Sequence, residues 1–104
     1  MIEVSISDGR ITIKGHAGYH PGNDIVCSAV SALAYTIVNY IEMNRDYFES
    51  FGYRMNSGDT EIAYKASVSK EKIVKETLRA IVYGIYLIAD SYPENVKVIG
   101  RDKI

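Results

Sequence analysis

The opening stretch Ile2-Glu3-Val4-Ser5-Ile6-Ser7-Asp8-Gly9-Arg10-Ile11-Thr12-Ile13-Lys14 decides how the rest of the chain folds. Ile2, Val4 and Ile6 alternate with Glu3, Ser5 and Ser7. Ile11 and Ile13 alternate with Thr12 and Lys14, the period of two of a half-buried strand. Between the two runs stands Asp8-Gly9, a pair suited to the positive φ angles of a tight hairpin turn. Pairing Ser7 with Arg10 sets Ile6 opposite Ile11 and Val4 opposite Ile13, so all five apolar residues share one face. That register places His16 on the parity of Thr12 and Lys14. Either Gly15 kinks the strand end, or His16 reaches its surroundings from the sheet edge.

The hairpin runs directly into Gly15-His16-Ala17-Gly18-Tyr19-His20-Pro21-Gly22-Asn23-Asp24-Ile25-Val26-Cys27-Ser28, which holds the only cysteine, both histidines and three of the eight glycines. Gly and Pro make its middle a loop. Asn23 and Asp24 are both good N-cap residues, so a helix starts at one of them and Cys27 falls in its first turn. Unpaired N–H groups and the positive end of the macrodipole favour an anion there, a thiolate included. His16 can return across the loop as base or as imidazolium partner, the arrangement of nucleophilic acyl transfer. A lone cysteine is otherwise most often a small buried apolar residue, and a lone histidine near a strand end a surface one. Asp24 has two roles open to it: a cap for the first helical N–H groups, or an orienter of the His16 imidazole. Gly18 and Gly22 flank Tyr19-His20-Pro21, and a loop with glycines at both ends can open and close over a site.

Outward from here, residues 24–43 read as a helix, with Val26, Ala29, Val30, Leu33, Ile37 and Ile41 in one stripe. Its first half is rich in small residues, which lets another backbone approach closely. Tyr47 to Met55 and Thr60 to Val68 read as strands around Asn56-Ser57-Gly58-Asp59, with Gly52 marking a bulge. Ser69 is the expected N-cap of a second helix over 70–90, whose stripe is Val74, Leu78, Ile81, Val82, Ile85 and Ile88; Pro93 stops it. Val96, Val98 and Ile99 form a last short strand. The order ββαββαβ predicts a single α+β domain over 1–104, a mostly antiparallel sheet covered on one face by both helices.

Composition narrows the function classes. The chain has 104 residues, 47% hydrophobic and 24% charged, the balance of one globular domain. Twelve basic against thirteen acidic residues give a net charge of −1, which argues against direct nucleic-acid binding, since that needs a basic face. No apolar run is expected to span a membrane. Met1-Ile2-Glu3-Val4 lacks the basic start of an export signal, and a single cysteine forms no internal disulfide, so the expected compartment is a reducing cytoplasm. Nine tyrosines without a tryptophan suit half-buried packing positions and, for a few, a peptide groove or subunit interface.

Several rivals for the cysteine are open to test. A cysteine phosphatase needs an arginine shortly after the nucleophile, and Ser28-Ala29-Val30-Ser31-Ala32-Leu33 supplies none. A thioredoxin-like site needs a second cysteine. A metal-dependent hydrolase using His16, His20, Asp24 and Cys27 is a further alternative, since all four are acceptable zinc ligands, but the spacing matches no specific zinc pattern. Thiol chemistry calls for no metal and no cofactor. A non-enzymatic ribosome-associated binding module is the remaining alternative, and pH-dependent alkylation of Cys27 separates it from an enzyme.

Gly15-His16-Ala17, the glycine-containing loop, and Asp24-Ile25-Val26-Cys27-Ser28-Ala29-Val30-Ser31 together resemble the signature of the ribosomal-processing cysteine protease family. Chain length and element order match as well, so the resemblance spans essentially the whole chain. It implies a bacterial cysteine endopeptidase that removes a short N-terminal extension from large ribosomal subunit protein twenty-seven, cleaving after bulky aromatic residues. It implies Cys27 as nucleophile, His16 as general base and proton donor, Asp24 and Ser31 as supporting motif residues, and a homodimer. Gly18, Tyr19 and Gly22 would form a substrate loop. His20 is not part of the pattern.

Overall fold

The computed structural model describes residues 1–20 and 22–104. Pro21, part of the expected loop, lies outside the described residues. β1 (Ile2–Ser7) and β2 (Arg10–Lys14) form the hairpin in the expected register, Ile6 opposite Ile11 and Val4 opposite Ile13. α1 spans Ile25–Met43, β3 Phe48–Asn56, β4 Asp59–Ala66, α2 Glu71–Ser91 and β5 Val96–Ile99. The five strands form one sheet in the order β3-β4-β2-β1-β5. Three pairs are antiparallel, and β5 joins the far edge parallel to β1.

Ile2, Val4, Ile6, Ile11 and Ile13 are all buried, and Ile62 of β4 continues their face. Against it pack Val30, Ile37 and Ile41 of α1 and Leu78, Val82 and Ile85 of α2. Each such fully buried aliphatic side chain contributes about 1.5–3 kcal/mol relative to exposure. The helices meet where Leu33 lies over Gly84; a Cβ on Gly84 would come within 2.9 Å of it. Among the described residues α1, and no other helix, is long and apolar enough to cross a membrane, contrary to the sequence-based expectation. Its buried face, Val26 to Ile41, instead belongs to the core.

Two local expectations are corrected. The irregularity in β3 lies between Phe48 and Ser50, while Gly52 pairs in register with Ala63. Phe48 and Phe51 meet edge to face with centroids 6.1 Å apart. Residues three apart in a regular strand point to opposite sides, so one extra residue is needed for both rings to turn inward. Ser69 does not cap α2. It sits inside a 3-10 turn over Val68–Lys70, and the helix starts from Lys70 without a side-chain cap. Lys70 donates its N–H to the Ser67 carbonyl at 2.8 Å, so the tighter turn already takes up that donor.

Candidate active site

β2 ends at Lys14, and Gly15 turns the chain with φ +91°. A Cβ on Gly15 would stand 2.4 Å from the Met1 carbonyl oxygen, so no other residue fits without shifting the backbone. This kink settles how His16 leaves the sheet. Gly15 donates its N–H to the Gly58 carbonyl at 2.9 Å, tying the end of β2 to the β3–β4 turn. The His16 imidazole lies against that turn: a Cβ on Gly58, whose φ is +67°, would be 2.7 Å from Nε2.

On the other side, Asp24 is the N-cap of α1 in extended conformation and accepts the Cys27 N–H on Oδ1 at 2.9 Å. Its Oδ2 accepts the Tyr19 N–H at 3.0 Å, and its carbonyl accepts the Ser28 hydroxyl at 3.1 Å. The Cys27 N–H above all, with that of Tyr19, holds the Asp24 carboxyl below its ordinary value against a smaller opposing effect of burial. With both oxygens engaged by main-chain donors, Asp24 makes no hydrogen bond to His16 among the described residues. The cap also fixes Cys27 in the first turn, half-buried. Ala17, 2% exposed, donates its N–H to Cys27 Sγ at 3.2 Å. A hydrogen bond to an ionised sulfur is stronger than one to a neutral thiol.

Cys27 and His16 line one groove of about 310 Å³. One wall is the exposed edge of α1, with Ser31 one turn and Tyr35 two turns beyond Cys27; the other is the β3–β4 turn from Met55 to Thr60. Ile2, Ile13 and Val30 close its base with apolar surface. Asp59 on the far wall is held down to about 2, first by Arg54 at 3.0 Å and then by Lys14. It stays a paired carboxylate across the neutral range and carries no proton to the site.

The structure thus brings Cys27, His16 and Ser31 to one groove and places Asp24 beneath it as the helix cap. Gly18, Tyr19 and Gly22 do not line it. The Tyr19 ring packs edge-on against Tyr92 with centroids 5.2 Å apart. Ala17, Tyr19 and Asn23 all have bonded amides, the last to the His20 carbonyl at 3.2 Å, which pins much of the expected loop. Nor do His16, His20, Asp24 and Cys27 gather as ligands: among the described residues no three His, Cys, Asp or Glu side chains could hold a metal ion. A larger cleft of about 690 Å³, bordered by Asp8, Arg10, Tyr64 and Lys75, contains neither histidine nor cysteine. Tyr64 there is pushed up to about 12, chiefly by burial and further by Asp8.

Sequence reasoning missed the second wall. The turn Asn56-Ser57-Gly58-Asp59 is legible as a turn, but nothing local says that His16 rests on it. Asn95, which donates from Nδ2 to the Ala17 carbonyl at 3.0 Å, carries no signal beyond its place after Pro93.

Comparison with known proteins bears on the family and the fold. The sequence model of the family described as cysteine protease Prp matches residues 1–97. The ribosomal processing cysteine protease Prp of Mycoplasma genitalium is 29% identical over 99 residues, which is 94% of each protein. SMU.848 from Streptococcus mutans has the same fold, with 30% identity, a TM-score of 0.66, and 94% of this chain and 90% of that one matched. The ribosomal processing protease Prp from S. aureus, solved with a covalently linked product peptide, gives a TM-score of 0.74 at 22% identity, with 94% of this chain and 95% of that one matched.

Proposed function

Because this chain belongs to the cysteine protease Prp family, matched over residues 1–97, we propose that it removes a short N-terminal extension from large ribosomal subunit protein twenty-seven by Cys27 thiolate attack, assisted by His16. Membership makes it a cysteine protease and sets aside the binding-module and metal-hydrolase alternatives. The observation that carries the assignment of roles is the shared groove, lined by Cys27 in the capped first turn of α1 and by His16 just past the kinked end of β2. His16 takes the thiol proton, and sulfur attacks the scissile carbonyl. His16 then returns the proton to the leaving amine, which departs as the shortened ribosomal protein, as the acyl–enzyme forms; water, deprotonated by His16, hydrolyses the thioester and releases the excised extension as its acid, and His16 hands the proton back to sulfur. Asp24 holds the helix start, and Ser31 borders the peptide path one turn on.

The substrate class is supported by the name of the M. genitalium relative and by the substrate-peptide complex of S. aureus Prp. A groove running between two walls suits an extended peptide, and the near-neutral charge suits a protein partner over a nucleic acid. Action on a ribosomal protein places the enzyme in a bacterial cytoplasm. Mass spectrometry of the cognate ribosomal protein is expected to show a shortened N-terminus with the wild-type enzyme, with or without a chelator. A full-length N-terminus overturns the substrate assignment, and cleavage lost to the chelator overturns the thiolate mechanism.

Gly18, Tyr19 and Gly22 flank this path as a substrate loop. Since the Ala17, Tyr19 and Asn23 amides are bonded already, hydrogen exchange on adding a substrate-like peptide is expected to slow at Gly18 and Gly22. Unchanged exchange there would make the segment a simple connection. A homodimer completes the reading, and sedimentation at the mass of a single chain would contradict it.

A further inference from the structure

We propose that Asn95 is a positioning residue of the thiol site, acting through the main chain of Ala17; this rests on Cys27 being the nucleophile. Asn95 stands between the end of α2 and β5, far in sequence from the loop. Its own backbone is held on both sides: its N–H donates to the Tyr92 carbonyl at 2.9 Å, and its carbonyl accepts the Ile2 N–H at 2.8 Å. From this fixed mount, Nδ2 donates to the Ala17 carbonyl at 3.0 Å, in a partly buried setting. Ala17 in turn presents its N–H to Cys27 Sγ at 3.2 Å.

Ala17 is therefore held at three points: its methyl in the core, its carbonyl on Asn95 and its N–H on the sulfur. The next residue brings no side chain to this contact, and a Cβ on Gly18 would point into open space. Removing the Asn95 donor frees the peptide that aims an N–H at sulfur. That N–H stabilises ionised sulfur more than neutral sulfur, so its position sets how readily the nucleophile forms. Asn95 sits in the turn between α2 and β5, and the two main-chain hydrogen bonds on either side of it fix that mount.

The test is the pH dependence of Cys27 alkylation by iodoacetamide in Asn95→Asp and Asn95→Ala, with kcat and KM on a substrate peptide and the melting temperature alongside. Both variants are expected to move the alkylation midpoint up by about one pH unit. Both are expected to lower kcat about tenfold with KM changed less than about twofold. A purely structural Asn95 would lower the melting temperature and leave the alkylation profile of the folded protein unchanged, which overturns the proposal. A shift in Asn95→Asp without one in the neutral Asn95→Ala would trace the effect to added charge and also overturn it. Alkylation needs no substrate, so a wild-type protein that fails to cleave the ribosomal peptide sinks that substrate and leaves this test standing. Cleavage that survives Cys27→Ala sinks both.

Discussion

Cys27→Ala is expected to lower peptide cleavage by about four orders of magnitude or more. Cys27→Ser is expected to do nearly the same, because a hydroxyl in place of the thiol is far less ionised at neutral pH. Neither change should unfold the chain. Cys27 is half-buried at the lip of the groove, and the large aliphatic side chains of the core lie deeper. The hydrogen bond from the Cys27 main chain to Asp24 does not depend on the side chain, so the helix keeps its cap. A circular dichroism melt near that of the wild type, together with a peptide left intact, is the expected pair of results. Wild-type cleavage by either variant would remove the thiol from the mechanism.

His16→Ala is expected to cost about 10²–10⁴-fold in kcat, the range for loss of a general acid–base group. Gly58 allows the same group to be tested without removing it. A methyl on Gly58 would lie 2.7 Å from His16 Nε2 and 3.1 Å from Cε1, so the imidazole, the far end of a rotatable side chain, is what must yield. Gly58→Ala is therefore expected to lower kcat about 10–100-fold through misplacement of the base. Gly58→Asn separates this from backbone strain, because asparagine tolerates the left-handed region better than alanine yet carries the same Cβ. Equal losses in both variants point to the imidazole. If Gly58→Asn turns over like the wild type, His16 does not depend on that turn.

Much of this molecule is legible from its first fourteen residues. The alternation of Ile2 to Ile13 around Asp8-Gly9 fixes a register that leaves no second choice, because a slip by one would expose all five isoleucine and valine side chains. The strong periodicities of α1 and α2 are equally local, and so is the cap by Asp24, which needs only the N–H groups of the next three residues. What stays hidden depends on partners distant in the chain. Ser69 reads as a cap because nothing near it shows that Ser67, just before the 3-10 turn that contains Ser69, donates its N–H to the distant Tyr47 carbonyl at 2.8 Å. Gly52 reads as a bulge because its lack of a side chain is visible, whereas the need of Phe48 and Phe51 to face the same core is not. α1 shows the converse limit: its length and hydropathy alone also fit a membrane span, and only the sheet beneath it explains where that apolar surface goes.

The candidate site divides in the same way. Cys27, His16, Asp24 and Ser31 are close together in sequence and stand out by residue type. Their supports are not. Gly58 and Asn95 reach the site through contacts that no spacing rule describes, one beneath the imidazole and the other behind the peptide that faces the sulfur. The loop taken as a gate is also more firmly tied than its glycines suggest, because Asp24 spends its second oxygen on the Tyr19 N–H.

If Cys27 is the nucleophile, its sulfur forms a covalent bond to the substrate carbonyl during each turnover. Intact-protein mass spectrometry after rapid acid quenching of the enzyme mixed with a peptide spanning the ribosomal extension reads that bond directly. The predicted result is a mass increase equal to the acyl portion of the peptide, mapped to the fragment that contains Cys27 and absent from Cys27→Ala. Cleaved peptide with no adduct at any quench time, or an adduct mapped to another residue, would contradict the account.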